Sequence, residues 1–457
     1  MDTITRIRKK PLAACMAVAI AVASPAVLAN TISVSNCNDS GIGSLRAAII
    51  SASSGDTVDM GSLSCSTISL HTGAIKISQG DLTLQGPSGR VTITGKYNGS
   101  VQHSYIFGHS GKGTLRLTDL DITYGAQYSS AGSVGGGCIA SAGSVHLLRT
   151  TVSKCTAQST VGRATGGGIA AAGNIAVEYS TISGNSAISS GKVHSYGGGV
   201  WAAGNFTARY STISGNQSSG SAGYGLAGGV YARKNVDIFA STISGNRAEF
   251  EAGGMAVFSK SPAAYSVYIH SSTISGNSAH TNAVGGVASD VPVVLRNSTI
   301  AFNTAATNKS GPYFLAAGLT VIPSYGSISA DLRSSLLSSN TYGTNEADFA
   351  AISGGGKTVT VSGANNMIGV ATSGAPPGTI LNQCPLLGSL RNNGGPTQTH
   401  ALLSHSPAID AGSSPAGLAF DQRGSPYARV DHGAADIGAY ELQQNDIVFN
   451  NGFDGCP

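Results

Sequence analysis

Charge is scarce in this chain: Asp, Glu, Lys and Arg make up 11% of 457 residues, and the formal net charge is +4. That balance builds no strong field for nucleic acid or an anionic membrane. Between residues 126 and 340 the acids are limited to Glu178, Asp237, Glu249, Glu251, Asp290 and Asp331, so paired carboxylates are hard to assemble there by counting. No nucleophile elbow, phosphate-binding loop or zinc-protease helix occurs, and no cysteine spacing approaches that of a zinc site. Beyond residue 29 no apolar run reaches the roughly 20 residues of a membrane-spanning helix. Helical spacing of apolar residues is missing from the most regular stretch, 175–303.

What that stretch has is a repeat. Ser-Thr-Ile-Ser-Gly-Asn occurs four times and a variant, Ser298 to Asn303, follows; the anchors Ile182, Ile213, Ile243, Ile274 and Ile300 are spaced by 31, 30, 31 and 26 residues. Ile122 and Val152 continue the period upstream and Leu337 downstream. Such a period marks a repeat architecture. Seven and five positions before each anchor the residues are apolar in every copy, as in Ile175 and Val177 or Val236 and Ile238, while the residues beside them are mostly polar. Period-two alternation predicts a strand with one buried face. A glycine pair or triplet before an apolar residue, as in Gly197 to Val200, recurs in each copy. One period thus holds three short strands. Strands this short bury a core by stacking turns about 4.8 Å apart into continuous columns, a parallel β-helix. Asn185, Asn216, Asn246, Asn277, Asn303 and Asn340 follow the anchors and are expected to turn a left-handed corner and to bond one another up the axis.

Residues 1–29 read as a secretory signal, with Arg6, Arg8, Lys9 and Lys10 before an apolar stretch and a small-residue cleavage site ending at Ala29. Losing it, with Asp2, lowers the net charge to +1 and removes Cys15. The six remaining cysteines suit an exported, disulfide-bonded chain; proximity in sequence pairs Cys37 with Cys65, Cys138 with Cys155 and Cys384 with Cys456, one of many possible connectivities. Residues 30–125 are rougher, with a helix-like Ser44 to Ile50 suited to cap an open solenoid end. Repeats fill 126–383, a different module 384–441, and a short tail 442–457.

The Ser44 to Ile50 block followed by Gly55-Asp56-Thr57 resembles the start of bacterial surface proteins with right-handed, pectate-lyase-like β-helices. The Gly-Gly-apolar and Ser-Gly-Asn pieces are similar to repeats of polymorphic outer-membrane proteins. Asn392 to Leu402, Ser406 to Gly412, Asp421 to Gly424 and Asp436 to Glu441 resemble the terminal module of choice-of-anchor Q proteins, and Ile447 to Pro457 resembles a tail of exported proteobacterial proteins. These resemblances imply an all-β, right-handed parallel β-helix with a small irregular C-terminal module, displayed at a bacterial cell surface or secreted. They supply no catalytic residues.

Chemistry has few candidates. Glu178, Arg209 one coil on and Asp237 diagonally beyond form the nearest charged constellation, either exposed pairs on a sheet face or a sugar-acid or catalytic site. Trp201 and Tyr231, in consecutive coils, point outward and could stack a sugar ring or cover a loop. His400 and His405 near Asp410, Asp421 and Asp436 could hold a cation or serve as turn residues. No metal or cofactor is expected; calcium, which the resemblance implies for lyases of this fold, is left open without support from this sequence. The expected role is non-catalytic adhesion, with extracellular glycans or surface proteins as partners and no nucleic acid. The alternative is a polysaccharide lyase or glycoside hydrolase.

Overall fold

Residues 29–446, apart from 98, 102, 192, 221–223, 282–283, 307–315, 416 and 445, are described by a computed structural model. All but the last residue of the expected signal segment, residues 447–457 of the tail, Cys15 and Cys456 lie outside the described residues. Each winding of the chain visits up to five short strands in turn, and these strands pair in parallel with their counterparts one winding away. The winding that holds Ile182 runs through Ile169–Ala171, Ile175–Glu178, Thr181–Ser183, Ser186–Ser189 and Ser195–Tyr196. Stacking these strands gives five parallel sheets, numbered in that order: sheet 1 with 11 strands, sheets 2 and 3 with 12 each, sheet 4 with nine including one antiparallel terminal strand, and sheet 5 with four. The result is a parallel β-helix.

The registers match the anchor spacing. Ile122 opposes Val152, Val152 opposes Ile182, and the column continues through Ile213, Ile243, Ile274 and Ile300 to Leu337. Val145, Ile175 and Phe206 stack likewise in sheet 2, beside Leu147, Val177 and Ala208. All of these are at most 1% exposed, and at about 25 cal/mol per Å² their burial is the main force holding the windings together. The strands of the rougher N-terminal segment, from Thr31–Ser33 onward, already belong to these sheets, apart from the small antiparallel pair Lys96–Tyr97 and Ser100–Val101. At that end the helix α1, Leu45–Ser51, covers the core with Leu45, Ala48 and Ile49, and the Ser44 hydroxyl caps it by accepting from the Ala47 N–H at 3.2 Å. The disulfides Cys37–Cys65 and Cys138–Cys155 form as expected. Cys384 is also disulfide-bonded.

The hexapeptide owes its recurrence to two buried ladders. Its serine hydroxyl accepts the backbone N–H of the equivalent residue one coil back, from Thr150 to Ser180 at 3.0 Å through Ser211, Ser241 and Ser272 to Ser298. Its asparagine does the same with a carbonyl oxygen and adds an amide bond: Asn185 Nδ2 donates to Asn216 Oδ1 at 2.9 Å, and so on through Asn246, Asn277 and Asn303 to Asn340. The isoleucine between them enters the core, and the flanking threonine and second serine face outward. The asparagines do not take the left-handed conformation expected of them. The preceding glycines Gly184, Gly215, Gly245 and Gly276 do, at φ 61–65°, which frees the asparagine to aim its amide along the axis. The glycine pairs answer to crowding. A Cβ on Gly198 would lie 2.3 Å from the Gln217 backbone, and one on Gly199 would lie 3.0 Å from the Asn216 amide carbon.

The terminal module folds back over the outer face of sheet 3. Thr242, Thr273 and Thr299 are buried there, whereas Thr181 and Thr212 in the same column are not. Gln422 clamps the module down: its Oε1 accepts from the Thr273 hydroxyl at 2.6 Å and its Nε2 donates to Thr242 Oγ1 at 3.0 Å. Asn297, Ser334 and the Ser275–His400 contact extend the seam. Among the described residues no helix is long and apolar enough to cross a membrane.

Candidate functional site

Glu178, Arg209 and Asp237 stand on the outer face of sheet 2. Glu178 and Arg209 are register partners, yet Arg209 Nη2 bonds Asp237 Oδ2 at 2.6 Å and Glu178 lies 3.3 Å from His146 Nε2. Their side chains are 32–46% exposed, and none lines a principal concavity of the described residues. On an open face in water such pairs are weakly coupled.

Trp201 and Tyr231 have a different setting. Each follows a core valine in sheet 1, so alternation turns its ring outward, and the two are register partners on adjacent windings. Sheet 5 meets sheet 1 at the glycine bend, and the outer sides of the two sheets form a concave wall. Tyr196 of sheet 5 contacts Tyr231 edge-to-face with ring centroids 4.8 Å apart, and Phe258 lies on the other side at 6.3 Å. This wall lines a cleft of about 620 Å³. On the N-terminal side of Trp201 a second hollow of about 490 Å³ runs over Ala170, Ala140 and Gly108 to Tyr105 and Lys76. Together they follow sheet 1 for eight strand steps, from Ile75–Ile77 to Leu319–Val321, about 38 Å at the usual strand spacing.

The cleft also gathers charge. Arg163, Arg233 and Lys260 line it, and among the described residues none of the three has an ion-pair partner. Glu251 and Asp290 line it too. Glu251 extends the sheet 5 column through its bridge to Leu226, and its carboxylate makes no hydrogen bond or ion pair among the described residues. Burial, with the charge of Asp290 adding, pushes its pKa up to about 7. Asp290, 2% exposed, is also pushed up by burial, to about 6, against a bond from the Ser259 N–H at 2.8 Å. Burial raises the Tyr231 phenol as well, so it stays neutral.

The acids of the terminal module are committed to its own fold, except Asp410, which is exposed. Asp421 holds Arg423 at 2.8 Å and Glu441 holds Arg429 at 2.7 Å, all four side chains fully buried. Arg423 is further sandwiched between Tyr427 and Tyr440 at 3.8 and 3.9 Å. Asp436 accepts the Asp410 and Leu442 N–H groups. His400, bonded to Gly388 O and Ser275 Oγ, has its pKa lowered by burial to about 4. His405 takes a left-handed turn conformation. The motifs of this module therefore spend polar groups on its own fold and on the seam with sheet 3, and among the described residues no group of three or more His, Cys, Asp or Glu is placed to hold a metal.

No protein-family model matches this chain, and no curated protein matches it. Among solved structures, the crystal structure of pectate lyase Pel9A is similar at 14% identity, covering 91% of this chain and 96% of that one, with a TM-score of 0.48.

Proposed function

We propose that the protein is a secreted or cell-surface glycan-binding solenoid whose groove along sheet 1 holds an extended, anionic polysaccharide. The observation that carries this reading is the pairing, in one cleft, of the register partners Trp201 and Tyr231 with three cations that have no ion-pair partner among the described residues. Aromatic faces bury the apolar C–H surface of sugar rings. Unpaired guanidinium and ammonium groups beside them suit carboxylate or sulfate substituents. A groove parallel to the axis suits a linear chain more than a compact ligand. The disulfides support an oxidising, extracellular address, as does the resemblance of the terminal module to choice-of-anchor Q proteins.

The test is a glycan array followed by titration of the strongest ligands. Uronate- or sulfate-bearing chains are expected to bind, with affinity falling as salt rises and dropping by roughly tenfold or more in Trp201→Ala and Tyr231→Ala. Undiminished binding in both variants would remove the cleft from the reading.

A further inference from the structure

We propose that the same cleft hydrolyses the glycan it holds, with Glu251 delivering a proton to the glycosidic oxygen and Asp290 drawing one from the attacking water. This rests on the glycan-binding reading and adds a reaction to it. Glycoside hydrolysis by the common route needs two carboxyl groups flanking the scissile bond, one protonated and one ionised. Counting along the chain points to the outer face of sheet 2, where the carboxylates are exposed and paired. The fold instead brings Glu251 and Asp290, 39 residues apart in sequence, to one aromatic-walled cleft.

Their surroundings separate the roles. Asp290 is held by the Ser259 N–H at 2.8 Å, a bond that favours its charged form. Glu251 has no such donor, and burial together with the charge of Asp290 favours its protonated form. The other charged or titratable groups lining the cleft are Arg163, Arg233, Lys260, Tyr196, Tyr231 and Tyr325, so Asp290 is the carboxylate facing Glu251. In the reaction the C1–O bond breaks as the departing oxygen takes the Glu251 proton. Water oxygen bonds the anomeric carbon and its proton passes to Asp290. One water is consumed, a new reducing end and a free hydroxyl are released, and proton exchange with solvent resets both carboxyls. The required protonation states coexist between the pKa of Asp290, about 6, and that of Glu251, about 7, so the rate is expected to be bell-shaped in pH with its maximum in that interval.

The experiment incubates the full chain with linear polysaccharides, neutral and uronate-bearing, and counts new reducing ends across pH while binding is titrated in parallel. Glu251→Gln is expected to lower the rate by roughly 100-fold or more with binding kept within about threefold, and to abolish the falling limb of the profile. Asp290→Asn keeps the acceptor for Ser259 and is expected to abolish the rising limb. Binding without reducing ends overturns the hydrolytic proposal and leaves the binding reading standing. Absence of both binding and turnover sinks the binding reading first. Cleavage that leaves an unsaturated, ultraviolet-absorbing sugar end means elimination and overturns the acid and base roles of Glu251 and Asp290, as does full activity in Glu251→Gln.

Discussion

The asparagine ladder is the feature whose removal has the most readable consequence. Asn246 is fully buried. Its Oδ1 accepts both the backbone N–H of Asn216 at 3.0 Å and the Asn216 amide at 2.9 Å. Its Nδ2 donates to Ile213 O and to Asn277 Oδ1, both at 2.9 Å. Asn246→Ala leaves two buried donors of Asn216 without an acceptor and takes a bond from each of two oxygens. At roughly 1–3 kcal/mol for each orphaned group, the loss should reach about 3–5 kcal/mol, well above the roughly 0.5–1.5 kcal/mol of Ile243→Val in the adjacent apolar column. Because a solenoid opens coil by coil, the sharpest assay is hydrogen exchange at the Asn216 amide. A loss of protection of about 3 kcal/mol speeds it on the order of 100-fold. Asn205→Ala is the control: that residue is partly exposed and its contacts with Asn235 are long, at 3.3 and 3.4 Å, so the cost should stay below about 1 kcal/mol. Equal effects of the two substitutions would refute the claim that burial makes the inner ladder count.

Three further outcomes follow from the same geometry. Removing the Cys138–Cys155 bond by a double serine substitution should destabilise the early coils by about 2–4 kcal/mol, read as a lower denaturant midpoint for those windings. His400 is buried neutral with its pKa lowered to about 4. An unfolded histidine binds a proton near pH 6.5, so its neutral burial costs nothing above that value and is penalised as pH falls from about 6.5 to about 4. Limited proteolysis of the terminal module should therefore accelerate over this interval, and His400→Asn should remove that part of the acid sensitivity. Arg209→Ala should change stability by about 1 kcal/mol or less and leave glycan binding unchanged, since the Arg209–Asp237 pair lies outside the cleft.

The fold was legible because each column repeats at a nearly constant interval. A reader counting from Ile182, Ile213 and Ile243 lands on the same face each time, and stacked strands turn that arithmetic into contact. The placement of Trp201 and Tyr231 side by side on adjacent windings was legible for the same reason. The terminal module could not be placed this way, since nothing periodic says that Gln422 will reach Thr242 and Thr273; the polar run around Gln422 signalled structure without saying where. The carboxylates failed by arithmetic. Tyr196 and Leu226 stand 14 and 13 residues after their anchors, Ile182 and Ile213, but Glu251 stands eight after Ile243 although the Leu226–Glu251 bridge puts it in the same column. The winding after Ile243 is shortened before its glycine pair and lengthened after Val257, where a 3-10 turn, Pro262–Ala264, is inserted. That redistribution leaves the apolar columns in step, because the core strands set the register, while it shifts outward side chains against the count. Departures from period on the outside of an unbroken core are thus where a repeat protein can change its surface at little cost to its fold, and it is in such a winding that Glu251 enters the Trp201–Tyr231 cleft.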